Sequence, residues 1–299
     1  MTKAQAWVNA FRLRTLPLAL SSIIMGSSVA AYYGTFSWTV LLLAALTTLF
    51  LQVLSNLAND YGDTVNGADH DERQGPDRMV QSGIISKQSM LKGIYIMAGL
   101  ALLSGLTLIA VVFPNVSLIS FLFFVLGIGA IAAAVKYTMG SNPYGYRGLG
   151  DFYVLVFFGF VGVGGSYYLH TQAINLSVVW PALSVGFLSA GVLNLNNMRD
   201  VQSDTSANKN TLVVKYGLSK AKKYHYFLVS MAITCAMVFV VLNQASLLAY
   251  IFLVSVPLFI RHLFVVVKAN DAKDFDPELK KLAISTFLFV LLFALGLLI

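Results

Sequence analysis

Nine stretches of this 299-residue sequence are each long and apolar enough to cross a bilayer, which takes about 20 predominantly apolar residues per helix. They lie at 16–33, 38–58, 91–112, 116–138, 151–169, 177–198, 224–243, 246–268 and 281–299. Hydrocarbon offers no partners for backbone polar groups, so spanning segments are helices or closed barrels, and stretches of this length are helices. The predicted fold class is all-α: a polytopic membrane protein of nine transmembrane helices, read as a single membrane-embedded domain over 1–299. Composition agrees, since charged residues make up 11% of the chain against about 25% in soluble domains. Arg12 and Arg14 give the first stretch the flank of a signal peptide, but its length and the spans behind it make it the first membrane helix. The single cysteine, Cys235, sits in an apolar run and has no partner for a disulfide or a metal site.

The connections alternate in character. Those at 34–37, 113–115, 170–176 and 244–245 are short and uncharged, whereas those near 59–90, 139–150, 199–223 and 269–280 are longer and polar. With nine spans, the N-terminus and the longer connections share one side, and all 20 Lys and Arg and all 13 Asp and Glu lie there or at adjoining helix ends. The deepest cation, Arg261, is placed to snorkel or to face a cavity. The positive-inside rule makes that side cytoplasmic, so a bacterial inner membrane with a cytoplasmic active site and a C-terminus on the far side is expected. The net charge of +7 is thereby a matter of topology. Without aromatic-interleaved basic patches it does not point to nucleic acid.

Two polar clusters end spans on that side. The first, Asn56-Leu-Ala-Asn59-Asp60-Tyr-Gly-Asp63, ends span two; the second, Asn196-Asn197-Met-Arg199-Asp200 with Asp204 beyond, ends span six. Asn59-Asp60-x-x-Asp63 and Asn196-Asn197-x-x-Asp200 form a weak internal repeat, as expected of two four-helix halves, plus one helix, facing each other across a cavity. If span two continues through the first cluster, Asn56, Asp60 and Asp63 share one helical face; Asn197, Asp200 and Asp204 fit one face likewise. Such groups at the end of a membrane helix are costly without partners. Carboxylates and amides on one stripe suit a hard cation, and Mg²⁺ typically takes one or two carboxylates, waters and substrate phosphate oxygens. Arg73, Arg78, Arg199 and Lys209 are then available to neutralise the remaining oxygens of a diphosphate.

A third polar segment, Lys136 to Asp151, is rich in glycine and tyrosine. Arg147 suits an acidic or phosphorylated group there, and Tyr144 and Tyr146 suit stacking on a ring, although interfacial tyrosines also serve as an aromatic belt. Gly159, Gly162, Gly164 and Gly165 in span five read as close helix packing. The four histidines are scattered and show no metal-ligand spacing. Nucleotide-binding Gly-rich loops, zincin helices and nucleophile elbows are absent from the sequence. A transporter reading would place ionisable groups near the midplane or on both sides, which this pattern lacks.

Together with Arg14-Thr15-Leu16-Pro17, Pro143 through Asp151 and Lys209-Asn210-Thr211-Leu212, these clusters make the chain resemble the UbiA-type membrane prenyltransferases. Within them it is similar to the branch that acts on 1,4-dihydroxy-2-naphthoate in menaquinone synthesis. The resemblance runs over almost the whole chain. It implies nine helices around a central cavity, capped by the polar connections near 59–90, 139–150 and 199–223. It also implies Mg²⁺, a polyprenyl diphosphate and an aromatic acid acceptor. Asn56, Asp60 and Asp63 match the first Asp-rich motif of the family, and Asn197, Asp200 and Asp204 match the second. Gly67 stands where a third acid is usual, and Asp69 is its nearest substitute. Asn59, Arg73, Arg78, Tyr144, Tyr146, Arg199 and Lys209 are the expected substrate contacts, and Arg147 the group that orients the acceptor carboxylate. The implied reaction alkylates the naphthoate ring with loss of CO₂, giving demethylmenaquinone. A 4-hydroxybenzoate or homogentisate acceptor is the alternative. Asp60→Ala and Asp200→Ala are each expected to abolish turnover in a chain that still folds.

Overall fold

The computed structural model describes residues 1–67 and 78–299. Asp69, Asp71, Glu72, Arg73 and Asp77 lie outside the described residues, so the roles expected of Arg73 and Asp69 have no structural counterpart below.

Among the described residues every regular element is a helix. Helix α1 (Lys3–Phe11) begins at a capping box made by Thr2 and Gln5. It is followed by α2 (Leu16–Tyr32), α3 (Trp38–Val65), α4 (Lys87–Val112) and α5 (Leu118–Lys136). Ser37, Ser86 and Ser117 each accept a hydrogen bond from the third amide of α3, α4 and α5, satisfying donors that a helix start leaves open. Then come α6 (Gly150–Thr171) and α7 (Leu176–Arg199), and two short helices, α8 (Val201–Ser206) and α9 (Leu212–Tyr216). The last three are α10 (Leu218–Leu242), α11 (Leu247–Lys268) and α12 (Ala272–Leu298). Among the described residues nine helices, the first running from Lys3 to Tyr32, are long and apolar enough to span a membrane.

The helix ends differ from the apolar stretches in an instructive way. Hydropathy detects only the part of a helix that sits in hydrocarbon, whereas the helix itself stops at its caps. Thus α3 continues past residue 58 to Val65, α10 starts at Leu218 after Gly217, and α12 starts at Ala272 after its Asp271 cap. The whole first polar cluster is therefore helical. Helix α1 carries no membrane signal of its own; it packs on α3, with the Trp7 ring lying against Gly93 of α4.

In the first half, α3 packs on α4 and both pack on α5; in the second, α7 packs on α10 and α6. Helix α12 closes the ring by lying against α2, α7 and α11. Only 6% of the most apolar window of α5 is buried by protein, so lipid is its main neighbour. Helix α6 is wound as a π-helix over Leu155–Gly164, a form that often marks functional segments. Of its four glycines between 159 and 165, two bring helices together. A Cβ on Gly159 would stand 2.6 Å from the Ala182 carbonyl oxygen, and one on Gly162 would stand 2.7 Å from the Ser22 Cβ. Gly164 has open space around it, and Gly165 meets only a Phe123 ring carbon at 3.9 Å; these two are not packing contacts. Gly159→Ala is expected to cost about 1–3 kcal/mol through overpacking against backbone, read as a lower melting temperature in detergent, while Gly164→Ala leaves it unchanged.

Candidate active site

The polar end of the ring opens into a cavity of about 600 Å³. Over the last turns of α3, at the polar end, the residues that line it are Gln52, Ser55, Asn59 and Asp63, with Ala44, Thr47, Thr48 and Leu51 of the same helix continuing the lining deeper in. This stripe keeps the helical period but is rotated from the expected one, since Asn56 and Asp60 do not line the cavity. Both turn into protein. The Asn56 amide donates to the Phe11 carbonyl (2.8 Å) and to the Thr15 hydroxyl (2.9 Å), tying α3 to the turn that precedes α2. The Asp60 carboxylate accepts the backbone N–H groups of Met79 and Val80, each at 3.0 Å, and so fastens the chain where it returns after residue 77. Arg78 is aimed by that anchor: its guanidinium reaches the Asp63 carboxylate at 2.9 Å.

Asp63 is where the two halves of the molecule meet. It is buried, and besides Arg78 it accepts the Tyr146 hydroxyl at 3.0 Å. The Lys209 ammonium stands 3.8 Å from Asp63 and 3.4 Å from Asp204, and 5.3 Å over the Tyr146 ring. Asp204, on α8, belongs to the second cluster. One carboxylate from each half therefore flanks a single buried cation. Burial alone would drive the Lys209 proton off, but Asp63 and Asp204 outweigh it and hold the amine firmly protonated. Burial pushes the Asp204 carboxyl up to about 6, with Lys209 opposing and Asp200 and Asp63 reinforcing the rise. Tyr137 lines the cavity here and brings a phenolic O–H to it.

The rest of the second cluster is arranged differently. Arg199, expected at a phosphate, is buried and occupied: it donates twice to Asp200 (2.7 Å each), to the side-chain Oδ1 of Asn196 (2.9 Å) and to Asp276 of α12 (2.7 Å). It is a clamp joining α7 to α12, and removing one partner of such a buried pair costs about 3–5 kcal/mol. Asn196 lines the cavity; Asp200, Asn197 and Asp204 do not. The Asn197 Oδ1 and Asp204 Oδ2 atoms are buried with no hydrogen-bond partner.

Tyr144 lines the cavity and Tyr146 does not, although Tyr146 reaches Asp63. Tyr137, Tyr144, Tyr153 and Phe157 form one aromatic wall, with Tyr144 and Tyr153 stacked at 4.1 Å. The close approach of Gly145 makes this wall possible, since a Cβ there would stand 2.6 Å from the Tyr137 carbonyl oxygen. Arg147 is exposed and does not line the cavity; its carbonyl accepts the Lys215 ammonium at 2.9 Å. Residues with no role assigned from the sequence also reach the cavity: Arg12, Arg14, Gln52, Ser55, Tyr137 and Lys280. Gln52 and Ser55 carried a usable signal, since they extend the period of Asn59 and Asp63.

The donor set fits a magnesium-type ion bound together with a phosphate. Oxygen ligands dominate, and two of them, on Asn197 and Asp204, lie buried without partners. Among the described residues no three His, Cys, Asp or Glu converge tightly enough to hold an ion alone. That suits a cation which keeps waters and substrate oxygens in its shell.

Residues 19–287 match the UbiA prenyltransferase family. The chain is 44% identical to a 1,4-dihydroxy-2-naphthoate octaprenyltransferase of Haemophilus influenzae, over 99% of this chain and 97% of that protein. It is 42% identical to the protein of the same name from Escherichia coli, over 99% and 96%. The fold matches a UbiA homolog from Archaeoglobus fulgidus bound to GPP and Mg²⁺, with a TM-score of 0.61, 16% identity, and coverage of 96% of this chain and 98% of that one.

Proposed function

The chain belongs to the UbiA prenyltransferase family, and from that membership we propose that it transfers a polyprenyl group from its diphosphate to 1,4-dihydroxy-2-naphthoate, releasing CO₂ and pyrophosphate and giving the hydroquinone form of demethylmenaquinone. The near full-length identity to naphthoate octaprenyltransferases supports both the acceptor and an octaprenyl donor. The observation that carries the chemistry is the meeting of Asp63 and Asp204 around Lys209 at the polar end of an otherwise apolar cavity.

Asp63 and Asp204, with the free oxygens of Asn197 and Asp204, would hold Mg²⁺. Bound there, the ion supplies Lewis-acid stabilisation of the leaving diphosphate. Arg78 and Lys209 add fixed positive charge beside it, preorganised by their carboxylate partners. As the allylic C–O bond breaks, the negative charge grows on the diphosphate, next to these cations. Tyr137, Tyr153 and Phe157 present ring faces to the allylic cation and exclude water from it. The ring carbon bearing the carboxylate forms the new C–C bond, and the C–C bond to CO₂ breaks with its electron pair returning to the ring. The prenyl tail lies along the apolar walls of α5 and α6 and leaves between them into lipid, where α5 packs chiefly on α3 and α4.

The chain acts as one multi-pass unit in a bacterial inner membrane. Its charged end, N-terminus and active site are cytoplasmic, by the distribution of Lys and Arg, and its C-terminus is on the far side. The test is an acceptor series: purified protein in nanodiscs with labelled octaprenyl diphosphate and each of the naphthoate, 4-hydroxybenzoate and homogentisate. Consumption of the naphthoate with one CO₂ per pyrophosphate is expected. Preferential prenylation of either alternative overturns the reading.

A further inference from the structure

An acceptor that is itself an acid brings a second anion to the cavity. The cations at the diphosphate pole are already matched: Lys209 with Asp63 and Asp204, and Arg78 with Asp63. Arg12 and Arg14 line the mouth too, but each is already engaged. Arg147 is off the cavity. Lys280 is different. It lines the cavity from α12, yet among the described residues it makes no ion pair or hydrogen bond, while its neighbour Lys281 is held by Glu278 at 2.6 Å.

Its height in the molecule follows from its helix. Asp276, four residues earlier, is bonded to the Arg199–Asp200 clamp at the rim. Residues four apart share a helical face, with a rise of about 6 Å between them, so Lys280 sits one turn below that clamp. Leu279 and Ala283 continue the lining, making this the level at which the rim gives way to apolar wall. That is where an acceptor ring must lie to meet the first carbon of a prenyl chain whose diphosphate is held at Asp63 and Asp204.

We propose that Lys280 is the acceptor-binding residue: its ammonium pairs with the ring carboxylate of the aromatic acid and sets which ring carbon faces the allylic carbon. This rests on the proposed aromatic-acid prenyltransferase reading and deepens it. The residue selects acidic acceptors over their decarboxylated counterparts, since an apolar wall at the same place leaves the carboxylate unpaired.

The test compares wild type, Lys280→Met and Lys280→Arg in nanodiscs. Steady-state KM is measured for the naphthoate and for octaprenyl diphosphate, and inhibition by 1-hydroxy-2-naphthoate is compared with inhibition by 1-naphthol. Lys280→Met is expected to raise the naphthoate KM about tenfold, as for a lost charge-assisted hydrogen bond, while the diphosphate KM holds. It should also abolish the wild-type preference for the carboxylate inhibitor, and Lys280→Arg should restore both. An unchanged preference for 1-hydroxy-2-naphthoate in Lys280→Met overturns the assignment. A wild type that does not prenylate the naphthoate at all instead overturns the underlying function.

Discussion

Asp63→Asn is expected to lower turnover by about 10³-fold, the scale of losing a preorganised electrostatic group at a developing charge. The substitution keeps the shape of the side chain but removes the charge that three groups share. Arg78, Lys209 and the Tyr146 hydroxyl all converge on this carboxylate, and it is the contribution of the first half to the cation site. Because the amide still accepts hydrogen bonds, the helix ring should survive, and the loss should fall on kcat more than on the acceptor KM. Single-turnover rates with labelled octaprenyl diphosphate measure it. Near wild-type turnover in Asp63→Asn would remove Asp63 from the chemistry.

Asp60→Ala should damage the molecule by another route. The Asp60 carboxylate is the acceptor for two buried backbone amides, Met79 and Val80, and orphaning a buried donor costs about 1–3 kcal/mol each. A stability loss of about 2–6 kcal/mol is therefore expected, seen as a lower melting temperature. The chain following residue 77 should loosen with it, and Arg78 leads that segment into the site. The diphosphate KM should rise steeply, so the variant is inactive at modest substrate concentration but partly recovered at saturation. This differs from the outcome expected on sequence alone, which was lost turnover in a stably folded chain. A variant with normal melting and no recovery at high diphosphate would return Asp60 to a direct role in the cation site.

The spans were legible because bilayer thickness imposes an apolar length, and the shared polar end because cations gather on one side. What hydropathy misses is the rotation of each helix, since a shift of one residue turns a side chain by about 100°. That is why the stripe 56–60–63 was expected where Gln52, Ser55, Asn59 and Asp63 line the cavity. Arg199 was expected at a phosphate because its partner Asp276 lies 77 residues away. The histidines looked scattered for the same reason. His225 and His262 in fact meet at 2.8 Å, and His262 reaches Glu278 at 2.6 Å, tying α10, α11 and α12 in the buried interior. Lys280 carried no local signal, since a lysine at the charged end of a membrane helix is what topology alone would place there.

The central claim is that Asp63 and Asp204, one from each half, face a common cation and diphosphate at the polar end of the cavity. The most direct measurement is a structure of the protein soaked with Mn²⁺ and a non-hydrolysable thiolodiphosphate, with the metal located by its anomalous signal. The account predicts metal density between α3 and α8, with carboxylate oxygens of both Asp63 and Asp204 among the ligands and the diphosphate in contact with it. Metal and diphosphate seated elsewhere, with Asp63 and Asp204 still closed on Lys209, would contradict it.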